Sequence, residues 1–178
     1  AAQLVSWLGK PVINDPDRVR RTTRDAVAEL LPDIAGCRIP GILRLPAGKD
    51  AAEAVRDAQL RFSFPMLVRP AGTHGGDDFE KIADAAGLAA YLNQREGDHY
   101  LIEYVDYASR DGLFRKYRFI FAGETMLPYH LAIGSSWKLH HDSTDMADHV
   151  WMQQEEAAFL ADPRRVFTPA QLETLRTI

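Results

Sequence analysis

One cysteine, Cys37, stands in 178 residues, so no disulfide can close within the chain and no cysteine-based zinc cluster can form. It sits beside Arg38-Ile39-Pro40 at an expected strand start and reads as a small buried hydrophobe rather than a nucleophile. Long apolar runs are also lacking; none approaches the ~20 residues that a bilayer-spanning helix needs. The opening Ala1-Ala2-Gln3-Leu4-Val5-Ser6-Trp7-Leu8-Gly9-Lys10 has neither a basic n-region nor an adequate apolar h-region. There is no methionine at position 1, and both ends read as cut from something longer. Excess positive charge is missing too: a formal charge of −4 and a pI near 5.9 disfavour nucleic acid as a partner. A cytoplasmic location, with no membrane partner, is the expectation.

What is present is ordinary globular material, 46% apolar and 26% charged, enough for one modest core. Its most informative stretch is Phe64-Pro65-Met66-Leu67-Val68-Arg69-Pro70-Ala71-Gly72-Thr73-His74-Gly75-Gly76. An apolar run ends in an arginine and a proline and enters a loop rich in glycine. Backbone without β-carbons can approach an anion closely and turn several N–H groups towards it. Arg69 adds fixed charge and a fork of donors. This is phosphate-cradle chemistry, although no Lys-Ser/Thr follows Gly76 and it is not a Walker loop. The bland alternative is an exposed hairpin tip.

The flanking pattern supplies an order of elements. Asn14 or Asp15 before Pro16 opens a helix, and Thr22-x-x-Asp25 opens another that Pro32 stops near Leu31. Short β-type pieces are expected at Cys37–Ile39 and Ile42–Leu45, and a helix over Asp50–Leu60. Phe79–Ile82 should pair with Met66–Arg69 across the glycine loop, before a helix over Asp84–Gln94 and the strand Tyr100–Val105. The strands Tyr117–Ala122 and Thr125–Ile133 meet at a tight turn, with Arg118 on the face opposite Tyr117, Phe119 and Phe121. Trp151–Leu160 is helical, and Thr168-Pro169 caps a last helix.

Taken together, FPMLVRPAGTHGG followed by YLIEYV resembles the ATP-grasp superfamily, in its carboxylate-amine ligase branch related to glutathione synthetase and ribosomal-protein-S6 modification enzymes. The resemblance covers about Pro11 to Lys138. It implies an α+β fold of two lobes, with mainly antiparallel sheets enclosing a nucleotide cleft. On that basis residues 1–35 are a helical lead-in, 36–105 the small lobe with the glycine-rich loop, and 106–178 part of the large lobe. The implied activity is that of an ATP-dependent carboxylate-amine or carboxylate-thiol ligase working through an acyl phosphate. ATP is the implied cofactor and an unidentified carboxylic acid the substrate. The parent protein would be the enzyme, with additional domains, and this chain alone an incomplete part of it. The alternative is a non-catalytic nucleotide-binding or interaction module with a grasp-like fold.

Residue by residue, the resemblance assigns ATP phosphates to Arg69, Gly72, Thr73, His74, Gly75 and Gly76, with Arg24 as a second cation. Arg24 is equally a surface charge beside Arg18, Arg20 and Arg21, and His74 a solvated loop residue. Glu103, Tyr104 and Val105 would read the adenine edge through their backbone. Arg118 and Lys138 are the catalytic candidates, stabilising a transferring phosphoryl group or holding an acidic substrate. A plain salt bridge of Arg118 to Glu103 or Asp106 is the competing reading. Adjacent His140 and His141 suggest a polar loop more than a metal site. Magnesium is expected for the parent enzyme, but no strand-borne Glu-x-Asn is found for it, so no metal ligand is assigned.

Overall fold

The computed structural model describes residues 7, 10, 12, 14–31, 34–73, 76–139 and 144–178. His74, Gly75, His140 and His141 lie outside the described residues, as does Pro32. The fold is mixed, with helices and two antiparallel sheets, and divides into two compact units. One comprises Ala1–Asp33 with Cys37–Tyr104, the other Ile34–Gly36 with Val105–Ile178.

In the first unit three of the four helix starts carry a side-chain cap. Asp15 caps α1 (Pro16–Val19), its carboxylate accepting from the Asp17 amide at 2.9 Å. After a 3-10 turn comes α2 (Arg24–Leu30), whose N-cap Thr23 makes no side-chain capping bond. Asp50 caps α3 (Ala51–Arg61) and Asp84 caps α4 (Ala85–Asn93) by accepting from the third helical amide. Strands β1 (Ile42–Leu45), β2 (Met66–Pro70), β3 (Glu80–Ile82) and β4 (His99–Glu103) form one sheet in the order β1-β4-β2-β3. Every pair is antiparallel.

Alternation along the strands divides the residues between two faces. Leu45, Met66, Val68, Ile82 and Leu101 join Ala54, Val55 and Ala58 of α3 and Leu88 and Tyr91 of α4 in the core. Arg69 and Tyr100, which are register partners, take the opposite face, and Arg44 pairs with Tyr100. Asp25 of α2 reaches this second face, accepting from the Tyr100 hydroxyl at 3.2 Å and lying 3.8 Å from Arg44.

Two local expectations need correction. Cys37–Ile39 forms no strand, and Cys37 is half-buried rather than buried. The strand at Tyr100–Val105 ends two residues early, at Glu103. Its last partner on β2 is Met66, and the residue before that is Pro65, which has no N–H to extend the ladder. On the other side, the Glu103 amide donates to the Gly41 carbonyl just before β1 begins. Gly41 is required there: a β-carbon would lie 2.6 Å from Phe62 Cε1.

The second unit is built on the hairpin of β5 (Phe114–Ala122) and β6 (Thr125–Gly134), turning at Gly123 with φ +60°. Tyr117 and Phe119 put their rings against Phe159 of α5 (Val150–Ala161) and against Phe167, with centroids 5.0–5.6 Å apart in edge-on geometry. Leu131, Ile133, Met146 and Met152 complete this core. Arg118 lies on the other face and is exposed. The register slips between Arg118 and Phe119, opposite Pro128 and Tyr129. Thr168 and Gln171 form a reciprocal capping box at α6 (Pro169–Thr177). Among the described residues no helix is long and apolar enough to cross a membrane.

Candidate functional site

Arg69 is the centre of the site in the first unit. It is only 5% exposed, although arginine is seldom buried without a partner for its charge. Its Nη2 donates to the Thr73 carbonyl and, at 2.8 Å, to the Thr73 hydroxyl. Nε is buried with no hydrogen-bond partner among the described residues. The Phe79 ring lies 5.4 Å from the guanidinium carbon. Burial, then the neighbouring positive charge of Arg24, lowers the pKa of Arg69, while Tyr91, Asp77 and Tyr100 oppose that shift. Arg24, at the start of α2, is therefore close enough to be felt. In this conformation the Thr73 oxygens occupy acceptor positions that an anion's oxygens could take.

The loop between β2 and β3 is fixed at both ends. Ala71 N–H donates to the Asp98 carbonyl at 2.7 Å, and the Thr73 hydroxyl to the Pro70 carbonyl at 3.0 Å. At the far end Asp78 has φ +50°, and its carbonyl accepts from the Tyr91 hydroxyl at 2.6 Å. Burial pushes the Tyr91 pKa up to about 12, so that hydroxyl stays a donor at neutral pH. Arg95 bonds Asp78 and Glu80 and lies over the Tyr91 ring at 3.9 Å. Gly72 (φ +79°) and Gly76 (φ +92°) take backbone conformations that L-residues rarely adopt. Together these anchors fix both ends of the loop, and Thr73 near its start bonds the Arg69 guanidinium.

Glu103, Tyr104 and Val105 do not act alike. The Glu103 carboxylate is engaged within the fold, accepting from Gly41 N–H at 3.1 Å and from Arg38 at 2.9 Å. The Gly41 amide, with Arg38 beside it, holds that carboxyl below its ordinary range. The Tyr104 ring lies 3.6 Å from Lys81 Nζ. Glu103 and Tyr104 border an open recess of about 340 Å³ with Phe62, Phe64 and Pro65. Val105 is half-buried and belongs to the second unit.

The second unit brings Arg118 into a recess of about 600 Å³ lined by Lys116, Tyr129, His130, Ala132 and Glu156. Lys116 donates to the Leu139 carbonyl, and burial with Arg118 nearby lowers its pKa. Lys138 is half-buried and is not among the lining residues; its amide donates to Ser136 Oγ at 3.3 Å. No ion pair of Arg118 with Asp106 is found among the described residues, and the Glu103 carboxylate is taken by Arg38 and the Gly41 amide.

Sequence reasoning missed Lys116, His130 and Glu156, and the roles of Thr73 and Phe79 around Arg69. Period-two spacing does place Lys116 on the Arg118 face. His130 opposite Arg118 was hidden by the register slip. Among the described residues no group of three His, Cys, Asp or Glu side chains is placed to hold a metal ion. No family model matches the chain, and no match is found among curated proteins.

Proposed function

We propose that this chain is the ATP-binding portion of an ATP-dependent carboxylate-amine or carboxylate-thiol ligase that works through an acyl phosphate. The observation that carries the reading is Arg69: a buried guanidinium whose Nε has no partner among the described residues, bonded to Thr73 of the glycine-bearing loop and near a second arginine. Two like charges brought together in a partly dry setting favour a polyanion that neutralises both. A triphosphate can replace the Thr73 oxygens as acceptor and take N–H groups from the loop. In this reading Glu103, Tyr104 and Val105 serve the base through their backbone, which suits a Glu103 side chain already committed elsewhere. Arg118 and Lys138 are assigned to the transferring phosphoryl group or the carboxylate substrate. The ATP-grasp resemblance and a cytoplasmic setting belong to the same proposal.

One observation favours a second reading, a non-catalytic module. Arg69 satisfies part of its donor set within its own loop, as a purely structural clamp would. Thermal unfolding with ATP, with and without magnesium, separates the two. Stabilisation by ATP that magnesium increases supports the ligase portion. If ATP stabilises and magnesium adds nothing, the chain binds without catalysing, and no response to any nucleotide removes both readings.

A further inference from the structure

We infer that His99 is an acid-sensitive latch on the glycine-bearing loop: a proton taken up on Nε2 frees the loop from the end of the sheet. Every residue involved belongs to the first unit. His99 is 3% exposed, and its Nε2 has no hydrogen-bond partner among the described residues. The Gly97 carbonyl accepts from the ring, which therefore carries its proton on Nδ1 and leaves a lone pair on Nε2. A second proton would add a charge and a donor in a dry setting, and the closed structure resists both.

The ring adjoins the anchors at both ends of the loop. His99 is the register partner of Pro70, the last residue of β2 before the loop begins. The carbonyl of Asp98, its neighbour in the chain, accepts from the Ala71 amide at 2.7 Å. Tyr91 packs edge-on against the imidazole with centroids 5.7 Å apart, and its hydroxyl donates to the Asp78 carbonyl at the loop's far end. Moving this one imidazole therefore disturbs the hold on Ala71 and the hold on Asp78 together.

The charges around the ring give the latch its direction. Two cations, Lys49 before α3 and Arg95 just beyond α4, line the small cavity beside His99. The nearby carboxylates are already paired: Asp57 and Glu53 with Lys49, Asp78 and Glu80 with Arg95, and Asp98 with Arg44. Tyr91 stays neutral, since burial pushes its pKa up to about 12. Burial, opposed by the Gly97 bond and aided by Arg95, holds the His99 pKa below 6.5, while Asp98 and Asp78 pull the other way. Once the loop opens, the imidazole reaches water and regains its ordinary affinity for the proton, so acid favours the open form. The loop is fully held above pH 6.5 and is released as pH falls through the folded value. ATP bound to the closed loop and a proton on His99 then oppose each other; that consequence rests on the ligase reading, and the latch does not.

Amide hydrogen exchange of the full chain, followed by NMR on either side of pH 6.5 and corrected for intrinsic rates, tests this. Ala71 should exchange at least about tenfold faster than Leu67 and Val68, which sit within the β2–β4 ladder, because its opening is local. Below pH 6.5 its protection should fall by up to about tenfold per pH unit, the limit for one linked proton. Ala71 protection that ignores pH, or that equals the ladder's throughout, overturns the latch, and this arm needs only the wild-type protein. In His99→Gln, which cannot titrate, the slope at Ala71 should vanish; a slope that persists puts the proton elsewhere and overturns the assignment. ATP at about ten times its dissociation constant should raise Ala71 protection in acid about tenfold. ATP that binds by calorimetry without protecting Ala71 overturns the link between latch and nucleotide. If no ATP binds at any pH, the ligase reading falls, and the latch stands or falls on exchange in the free protein.

Discussion

Replacing Arg69 with methionine separates binding from scaffolding. Methionine fills most of the arginine's volume with no charge and no donor. Nη2, now bonded to the Thr73 oxygens, is the donor a phosphate oxygen would take over, and a charge-assisted bond of that kind contributes about 1.5–3 kcal/mol. At 1.4 kcal/mol per tenfold, ATP affinity should fall about 10- to 150-fold. Stability of the free protein should behave differently. The variant loses the Nη2 bonds to Thr73 and the Phe79 contact, together about 2–3 kcal/mol. It also removes a buried charge with an unsatisfied donor, a relief of about 1–3 kcal/mol. The net change in unfolding free energy should therefore stay within about 1–2 kcal/mol. Calorimetric titration with ATP and urea unfolding give the two numbers. Unchanged ATP affinity would refute the phosphate assignment. A stability loss well beyond 3 kcal/mol, with affinity little changed, would show Arg69 to be a structural clamp.

Tyr100→Phe removes the hydroxyl that holds Asp25, loosening the helix that carries Arg24; ATP binding should weaken a few-fold, and urea unfolding should shift by about 0.5–1.5 kcal/mol. His99 is 3% exposed, its Nε2 has no partner among the described residues, and it borders a cavity of about 40 Å³ with Lys49 and Arg95. Burial, the largest cause, lowers its pKa below 6.5, so the unfolded chain binds the proton first as pH falls. Stability should be full above pH 6.5 and decline as pH drops through the folded value, and His99→Gln should flatten that decline in urea titrations across pH. Gly41→Ala should cost about 1–3 kcal/mol, because the new methyl would meet the Phe62 ring at 2.6 Å; an unchanged melting temperature would show that the ring yields freely. Gly72→Ala has open space but φ +79°, so it should cost about 1–2 kcal/mol through backbone strain alone.

Local chemistry was legible in the sequence. Asp15, Asp50, Asp84 and Thr168 announce helix starts because their side-chain oxygens satisfy amides a few residues on. The alternation Tyr117, Arg118, Phe119 announces which hairpin face is packed, since a strand's period is fixed by its backbone. The glycine loop reads as backbone open to close approach, and the structure adds that Gly72 and Gly76 take positive φ. What could not be read is anything set by partners distant in the chain. Glu103 looked like part of a binding strand, yet its carboxylate is bound to Gly41 and Arg38, a consequence of β1 pairing with β4. The burial of Arg69, and its coupling to Arg24 far back in the chain, likewise depend on which face of the sheet α2 covers.

The hairpin shows the division most sharply. Counting back from Gly123 with regular pairing sets Tyr129 opposite Arg118, as the pair Ala122 and Thr125 would require. The strand instead admits one extra residue beside Pro128, which has no N–H for the ladder, and His130 takes that position. Sequence alone announced the capped helix starts, because a cap is made within a few residues. Tertiary packing decided which side chains meet, because register and burial depend on every strand and helix being in place at once.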